Sequence, residues 1–320
     1  MKLVVLEKDT YGYDIDYTVL TSLVDEVDFY DLTSPEEVAE RVADADIILV
    51  NKVLMNEASL KDAKNLKLLL EGATGYNNVD IPYAKSRGIA VSNVAGYSVQ
   101  IVPQHTFALY LALSEHLAYY DNYVKSGAYT KSQMFSCFNP TFQELEGKTW
   151  GIIGLGNIGK RAANIARAFG CRVIYYSTTG SHDDPDFERV SFDELLGQSD
   201  VISIHSPLNE KTHKLIDKEA LKKMKASAYL INVGRGPIVD EQALADALNE
   251  NEIAGAALDV MEIEPLPMGS PLLSVKDPLK LLLTPHMAWA SKEARQRLIN
   301  EVAKNLEDYQ KGGQRNRVDL

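Results

Sequence analysis

Apolar runs of three to six residues, separated by longer polar stretches, recur along the whole chain. Runs this short that are rich in Val, Ile and Leu are typical of buried strands, and the stretches between them favour helices. Their alternation predicts parallel sheets covered by helices. The predicted strands are residues 3–6, 27–30, 47–50, 66–70 and 89–92 in a first group, and residues 148–153, 173–176, 201–205, 229–233, 254–258 and 281–283 in a second group.

Helices are predicted from capping residues and from apolar positions spaced by three or four. Ser34, followed by Pro35 and by Glu37 three positions on, predicts a helix that begins there. Residues 101–120 are apolar on most sides, which predicts one helix buried between domains or at a symmetric dimer contact. The other predicted helices begin at Asp16 and cover residues 158–169, 191–196, 217–224, 240–249 and 291–311.

Two domains are expected, because 320 residues exceed what one hydrophobic core usually supports. The last predicted helix follows the final strand of the second group and could pack back on the first. We therefore predict an α/β protein with two Rossmann-like parallel-sheet domains, the cofactor domain inserted into a discontinuous substrate domain. Residues 1–97 and 287–320 would form the substrate domain and residues 98–286 the dinucleotide-binding domain, with the ligands in the cleft between them.

Net charge and cysteine usage limit the binding partners and the cellular location that we expect for the protein. The net charge of −12 argues against a nucleic-acid surface, which needs clustered Lys and Arg. No segment has the apolar length of a membrane span, and residues 1–7 are better interpreted as a strand than as a targeting signal. Cys137 and Cys171 do not have the spacing of a metal or redox site. We therefore expect no metal and a reducing, cytoplasmic location.

A glycine-rich turn with the sequence GLGNIG at 154–159 joins a predicted strand to a predicted helix. Gly154 would permit the tight turn, Gly156 would let a pyrophosphate approach the backbone, and Gly159 would let helix and strand pack closely. The N–H groups at the helix N-terminus favour bound phosphates. A glycine turn of some other α/β protein is the alternative, but the flanking strand and helix favour a dinucleotide cofactor.

Three polar side chains follow strands of the second group: Arg235, Glu264 and His286. The carboxyl ends of parallel strands meet at one edge of a sheet, so we expect these residues to gather beside the cofactor. An arginine binds a carboxylate with two hydrogen bonds and would polarise an adjacent carbonyl. A histidine paired with a carboxylate exchanges a proton near neutral pH. Together they suit the reduction of a 2-oxo acid.

Simpler interpretations exist for each of these side chains. Arg235 could be a surface charge, Glu264 a turn residue before a proline, and His286 a partner of a backbone carbonyl. Their shared placement at strand ends favours the catalytic interpretation. In the first half, Lys52 also ends a predicted strand, so it could face the cleft or simply be solvated.

Five separated segments resemble the D-isomer-specific 2-hydroxyacid dehydrogenase family over nearly the full chain. They are GIIGLGNIG (151–159), HSPLNEKTHKLI (205–216), LINVGRGPIVDE (230–241), AALDVMEIEPLP (256–267) and TPHMAWAS (284–291). The resemblance implies that Arg235 binds the substrate carboxylate and carbonyl. It also implies that His286, paired with Glu264, protonates the alkoxide that forms as hydride reaches the substrate. The resemblance and the strand-end pattern therefore indicate the same three residues.

The family resemblance also implies contacts with the cofactor. Asp259 would hold the nicotinamide amide, unless it only caps a strand end. Arg235 and His286 would lie at the nicotinamide edge. The other implied contacts are Asn157 and Ile158 at the pyrophosphate, Ser206, Pro207 and Thr212 beside the adenosine half, and Val233 and Gly234 beside the nicotinamide half.

One position departs from the pattern of NAD-preferring members. An acid usually ends the second cofactor strand, where it holds the ribose hydroxyls and repels a 2′-phosphate, but Ser177 occupies that position. The next basic residue is Arg189, and Asp183 and Asp184 add negative charge, so a clamp for a 2′-phosphate is not evident. NAD(H) is slightly favoured and NADP(H) remains open.

The segment ATGYNNVD at 73–80, with NKV (51–53) upstream and VPQHTFAL (102–109) downstream, resembles the glycerate dehydrogenase and hydroxypyruvate reductase branch of the family. This resemblance implies that backbone N–H groups at Thr74 and Gly75 hold the substrate carboxylate, although glycine turns are also common without a ligand. Hydroxypyruvate or glyoxylate is therefore the favoured substrate. Lactate, a branched-chain 2-oxo acid or phosphoglycerate are alternatives. A corepressor-like protein that senses NAD(H) without turnover is a further alternative, disfavoured by the compact length.

Overall fold

The computed structural model describes residues 1–180 and 183–320. The chain divides into two compact units, of which unit 1 comprises Met1–Ser98 and Trp289–Leu320 and unit 2 comprises Val99–Ala288. Each unit is built on one parallel sheet, which confirms the predicted α/β class with two parallel-sheet domains. Unit 1 is thus assembled from two separate stretches of chain.

The helices of unit 1 are short except for α11, and the strands of both units are two to five residues long. The strands are β1 (Lys2–Val5), β2 (Glu26–Phe29), β3 (Ile47–Val50), β4 (Leu68–Glu71), β5 (Ala90–Ser92), β6 (Thr149–Ile153), β7 (Arg172–Tyr176), β8 (Glu188–Arg189), β9 (Val201–Ile204), β10 (Tyr229–Asn232), β11 (Gly255–Leu258) and β12 (Leu281–Leu283). The helices are α1 (Thr18–Thr21), α2 (Val38–Arg41), α3 (Glu57–Leu60), α4 (Ile81–Ser86), α5 (Ile101–Ser114), α6 (Leu117–Lys125), α7 (Asn157–Ala168), α8 (Phe192–Gln198), α9 (Lys218–Lys223), α10 (Glu241–Glu250) and α11 (Lys292–Gln310).

Unit 1 has a five-stranded sheet in the order β2-β1-β3-β4-β5. The central strands β3 and β4 are buried along their whole length, as expected for strands covered on both faces. The final helix α11 packs against α1 and β4. It does so through buried residues spaced one turn apart, among them Leu298, Val302 and Leu306.

Unit 2 has a seven-stranded sheet in the order β12-β11-β10-β9-β6-β7-β8. All its pairings are parallel, so the carboxyl ends of these strands lie at one edge. Helix α5 packs against β10, β11 and α7. At that contact Phe107 stacks on Trp150 of β6 with 4.4 Å between ring centroids. The apolar character of α5 therefore serves the core of unit 2 itself.

The single helix predicted over residues 101–120 is wrong, because the structure contains two helices there. Helix α5 ends at Ser114, and His116 takes a left-handed conformation with φ of 53° before α6 begins. A left-handed residue interrupts the helical hydrogen-bond ladder. The two helices also differ in burial, since α5 contributes many core residues and α6 none.

The helix predicted to begin at Ser34 also needs correction. The Ser34 N–H does donate to Glu37 Oε2 at 2.9 Å, as in a capping box, but the helix begins only at Val38. Residues 34–37 form a turn before it.

The helices of the structure also bear on the expectation that no segment spans a membrane. Within residues 1–180 and 183–320, no helix is long and apolar enough to cross a membrane.

Candidate active site

The glycine turn between β6 and α7 is shaped by close backbone approaches. Gly154 has φ of +90°, and a Cβ there would lie 2.9 Å from the backbone of Ser206. A Cβ at Gly159 would lie 2.2 Å from the carbonyl oxygen of Gly154. Gly156 differs, because among the described residues nothing lies within 4 Å of its missing Cβ. The turn therefore presents open space at the N-terminus of α7, where backbone N–H groups favour an anion.

The segment after β9 places polar atoms beside this turn. Among the described residues, Ser206 Oγ and His205 Nδ1 are buried without a hydrogen-bond partner. Such atoms cost free energy unless a ligand or water meets them. The Thr212 hydroxyl is already used, since it donates to Pro207 O at 2.8 Å and accepts from the Asn209 N–H at 2.8 Å. The glycine turn and the unpartnered Ser206 hydroxyl beside Gly154 fit a bound dinucleotide, whereas Thr212 shapes the loop.

Ser177 follows β7 and lies in a turn of its own. Its hydroxyl accepts the Gly180 N–H at 3.2 Å. Arg189 spans the same turn, donating to Gly180 O at 3.0 Å and to Asp183 Oδ1 at 2.8 Å. The arginine charge is thus paired with a carboxylate. This arrangement offers a hydroxyl, rather than a carboxylate, at the end of the second cofactor strand.

Arg235 follows β10 in a turn that Asn232 organises. The Asn232 side chain donates to Arg235 O at 2.9 Å and accepts the Gly234 N–H at 3.0 Å. The Arg235 guanidinium itself donates from Nη1 to Gly234 O at 2.8 Å. A Cβ at Gly236 would lie 1.9 Å from Met261 O, so a glycine is required for this turn to lie against the loop after β11.

His286 and Glu264 form a close pair at the same edge of the sheet. His286 Nδ1 lies 2.6 Å from Glu264 Oε2, a short hydrogen bond between a ring nitrogen and a carboxylate. Glu264 Oε1 accepts the Met261 N–H at 2.9 Å, which orients the carboxylate. His286 has a left-handed backbone with φ of 52°. The structure therefore brings together two of the three predicted catalytic residues in direct contact.

Asp259 lies at the end of β11 and accepts several hydrogen bonds from the loop after β12. Its Oδ1 accepts from Thr284 Oγ1 at 2.6 Å and from the Met287 N–H at 2.9 Å. Its Oδ2 accepts the Ala288 N–H at 2.8 Å. Burial alone would raise the pKa of Asp259, but hydrogen bonds from side chains and backbone hold it below its usual value. The carboxylate predicted to hold a nicotinamide amide thus also organises this loop.

His105 is a polar neighbour of this cluster that sequence reasoning did not include. Its Nε2 lies 3.3 Å from Thr284 Oγ1 and 3.6 Å from Asp259 Oδ1. His105 and Thr284 are far apart in the sequence, with 179 positions between their numbers. The sequence feature that could have identified His105 is its position in an apolar helix, because a buried histidine there needs a hydrogen-bond partner.

The residues predicted to bind substrate from the first half belong to unit 1. Lys52 is exposed after β3, and its backbone N–H donates to Glu7 Oε2 at 2.8 Å. Thr74 follows β4, and its hydroxyl donates to Val94 O at 2.8 Å. Gly75 comes directly after it. Because β3 and β4 are neighbours, these turns lie at the same edge of the unit 1 sheet.

Two buried carboxyl groups lie behind these turns in unit 1. Glu7 Oε2 accepts the backbone N–H groups of residues 51–53 at 2.9, 2.8 and 3.1 Å. Glu71 Oε2 accepts from Asn78 Nδ2 at 3.0 Å, while Oε1 has no hydrogen-bond partner among the described residues. Burial raises the pKa of Glu71 well above its usual value, and the nearby Glu7 adds to the shift.

The described residues were also compared with the donor groups that bind metal ions in proteins. Among residues 1–180 and 183–320, no group of His, Cys, Asp or Glu is arranged to hold a metal ion. The site instead combines a dinucleotide-type glycine turn, unpartnered polar atoms and a histidine–carboxylate pair at one sheet edge. This combination is typical of a dinucleotide-dependent enzyme of α/β architecture.

Comparison with known proteins agrees with this class. Residues 107–288 match the family model described as the D-isomer specific 2-hydroxyacid dehydrogenase, NAD binding domain. A hydroxypyruvate reductase of Blautia hydrogenotrophica is 38% identical over all of both chains. A glycerate dehydrogenase of Methylorubrum extorquens is 41% identical, covering 89% of both chains. The solved structure of an acyclic imino acid reductase in complex with NADPH and D-Arg superposes with a TM-score of 0.88 at 31% identity, covering 99% of this chain and 100% of its own.

The chain therefore belongs to the D-isomer-specific 2-hydroxyacid dehydrogenase family. It is an NAD-dependent oxidoreductase with a nicotinamide dinucleotide as its cofactor. The prediction of this family and of its glycerate dehydrogenase and hydroxypyruvate reductase branch is confirmed.

Proposed function

We propose that the protein reduces hydroxypyruvate, or the smaller glyoxylate, to the matching 2-hydroxy acid of D configuration. The observation that carries this proposal is the contact of 2.6 Å between His286 Nδ1 and Glu264 Oε2 at the sheet edge that also bears the glycine turn. When bound, the reduced nicotinamide supplies a hydride to carbon 2 of the oxo acid. The names of the two relatives favour this substrate class.

The three strand-end residues have distinct roles in this proposal. His286 donates its Nδ1–H to Glu264, so Nε2 is the ring nitrogen that gives a proton to the substrate oxygen. Glu264 holds the ring in this orientation, since its other oxygen is fixed by a backbone N–H. Arg235 binds the substrate carboxylate and polarises the carbonyl, as a planar guanidinium is suited to do.

The proposal extends to the remaining predicted site residues. Unit 2 would be the dinucleotide-binding domain and unit 1 the substrate domain, with Lys52 and the backbone N–H groups of Thr74 and Gly75 contacting the substrate. Ser206 Oγ would bond the cofactor, which would satisfy an atom that is otherwise buried without a partner among the described residues. Asp259 would contact the nicotinamide amide in addition to its loop contacts.

NADH is the proposed preferred cofactor. Ser177 would bond a ribose hydroxyl, and the Arg189 charge is already paired with Asp183 at 2.8 Å. A 2′-phosphate would have to compete with that carboxylate for the arginine. We therefore expect NADPH to be used, but with a lower kcat/KM than NADH.

A panel of 2-oxo acids tests the substrate and the cofactor together. The purified protein is assayed with hydroxypyruvate, glyoxylate, pyruvate, a branched-chain 2-oxo acid and 3-phosphohydroxypyruvate, each with NADH and with NADPH. We expect the highest kcat/KM for hydroxypyruvate or glyoxylate with NADH. A protein that binds NADH but oxidises it with none of the acids would refute the proposal. A clear preference for another acid of the panel would show that hydroxypyruvate and glyoxylate are not the substrates.

A homodimer is proposed as the assembly. Helix α6 has no buried residue, and the loop that follows exposes large apolar side chains, including Phe135 (92% exposed), Phe138 and Phe142. A second copy of the chain would cover such a patch. Light scattering after size exclusion should give twice the 35.5 kDa of the chain. Phe135→Ser with Phe138→Ser should shift this mass toward the monomer, and a monomeric wild type would contradict the proposal.

A cytoplasmic location is also proposed. Cys137 and Cys171 are both free thiols in the structure, as is usual in a reducing compartment. Fractionation of cells that express the native protein tests this, with the proposal predicting recovery in the cytosolic fraction.

A further inference from the structure

The loop that carries His286 is tied to Asp259 on both sides of the histidine. Before it, the Thr284 hydroxyl donates to Asp259 Oδ1 at 2.6 Å. After it, the Met287 and Ala288 N–H groups donate to the same carboxylate. The His286 N–H itself donates to the backbone oxygen of Asp259 at 2.8 Å. The left-handed backbone of His286 is therefore sustained by one buried residue, since such a conformation needs support from its surroundings.

His105 extends this arrangement to helix α5. Thr284 has one hydroxyl proton, and the contact of 2.6 Å with Asp259 uses it. Thr284 Oγ1 can then only accept at its other neighbour, His105 Nε2, which lies 3.3 Å away. Nε2 of His105 must therefore carry a proton, which gives a directed series of hydrogen bonds from His105 through Thr284 to Asp259.

Helix α5 is long and well packed, so a side chain on it can hold a loop in a fixed position. It is 14 residues long and buries residues on either side of His105, among them Val102, Thr106 and Phe107. The Thr106 hydroxyl donates to Val102 O at 2.8 Å, so it is used within the helix. His105 is the residue of this turn that reaches the catalytic loop through a side-chain hydrogen bond.

We propose that His105 is a positioning residue that, through Thr284 and Asp259, holds the 284–288 loop so that His286 can deliver its proton. The inference rests on the proposed function of His286. Its effect should appear in the rate of turnover more than in cofactor binding, because Asp259, the proposed nicotinamide contact, keeps its Met287 and Ala288 N–H donors when His105 is replaced.

Substitution of His105 with a matched rescue variant tests the proposal. His105→Phe keeps an aromatic ring on α5 but removes the donor, whereas His105→Gln can place an amide N–H near the position of Nε2. We expect His105→Phe to lower kcat for hydroxypyruvate about tenfold, with NADH affinity changed less than about twofold. His105→Gln should restore most of kcat. A kcat of His105→Phe equal to that of wild type would overturn the proposal.

A double-mutant cycle separates positioning from general loss of stability. Thr284→Val removes the intermediate hydroxyl while keeping the shape of the side chain, and Thr284→Ser retains the hydroxyl. If His105 acts through Thr284, the double variant His105→Phe with Thr284→Val should be no slower than Thr284→Val alone. Additive losses, or losses that only follow a fall in Tm, would contradict the proposal.

Hydrogen exchange gives a readout that does not require turnover. Without substrate, the Met287 and Ala288 amides should exchange about tenfold faster in His105→Phe than in wild type, because their shared acceptor is less well held. His105→Gln should return them toward the wild-type rate. If exchange changes while the wild type reduces no 2-oxo acid, the proposed function fails and the structural link stands. If wild type is active and exchange at the 284–288 loop is unchanged, the link itself is wrong.

Discussion

Asp259 and Glu71 make a direct comparison between the two units. Each ends a buried parallel strand or immediately follows one, and their exposed fractions are 1% and 0%. Asp259 accepts hydrogen bonds from a threonine and two backbone N–H groups, and its pKa is lowered. Glu71 accepts one amide hydrogen bond, and its pKa is raised well above the usual value by burial. Burial alone therefore does not decide the charge of a strand-end acid.

Glu7 shows that a buried acid of unit 1 can also be met by several donors. It belongs to unit 1 with Glu71, yet three backbone N–H groups donate to its Oε2. The number of donors that face a carboxylate determines whether a buried charge can be accommodated. Acids with several donors hold loops in place, whereas Glu71 resists ionisation. This distinction can be tested by substitutions with opposite expected signs.

Asp259→Ala should produce the largest loss of stability. It leaves the Met287 and Ala288 N–H groups and the Thr284 hydroxyl without their acceptor. We expect the free energy of unfolding in urea to fall by about 3 kcal/mol. Asp259→Asn retains one acceptor oxygen and should lose less. A change below about 0.5 kcal/mol for the alanine variant would show that the carboxylate does not organise the loop.

Glu7→Ala should produce a smaller loss in the same direction. Three backbone N–H groups of residues 51–53 lose their acceptor, but that turn is partly exposed and water can replace some of the bonds. We expect the free energy of unfolding to fall by about 2 kcal/mol. Glu7→Gln is the matched control, because its amide oxygen can still accept. Equal stabilities of wild type and Glu7→Ala would contradict the conclusion that Glu7, unlike Glu71, holds a loop in place through its hydrogen-bond donors.

Glu71→Gln should raise the free energy of unfolding, and this change should be the smallest of the three. With a raised pKa, folded Glu71 retains its proton at pH values where the unfolded chain has lost it, so stability falls as the pH rises. The neutral amide removes this dependence. At about pH 8 the variant should be more stable than wild type by about 1 kcal/mol, with a smaller difference near pH 5. A variant that is less stable at both pH values would contradict a neutral Glu71.

Much of the backbone could be predicted from local sequence patterns. The strands at Ile47–Val50 and Leu281–Leu283 lie where the apolar runs predicted them. Helices were predicted to begin at Ser191 and Asp217, and the structure has these two residues as the N-caps of α8 and α9. Patterns of this kind succeed because strands and caps depend on residues close in the sequence.

Features that depend on distant residues could not be predicted in this way. The break at His116 has no glycine or proline to mark it. The contact of His105 with Thr284 spans 179 positions, and the donors to Glu7 come from more than 40 residues away. The strand-end position of Arg235, Glu264 and His286 was predictable, whereas the hydrogen bonds that hold their loops were not. Those bonds depend on tertiary neighbours.

The central claim, that His286 delivers the proton during reduction of a 2-oxo acid, is tested most directly by His286→Ala. The measurement is kcat for hydroxypyruvate with NADH, with the dissociation constant of NADH determined on the same preparation by fluorescence. The account predicts that kcat falls about 10³-fold while NADH binding changes less than about threefold. A variant that binds NADH and retains the wild-type kcat would contradict the claim.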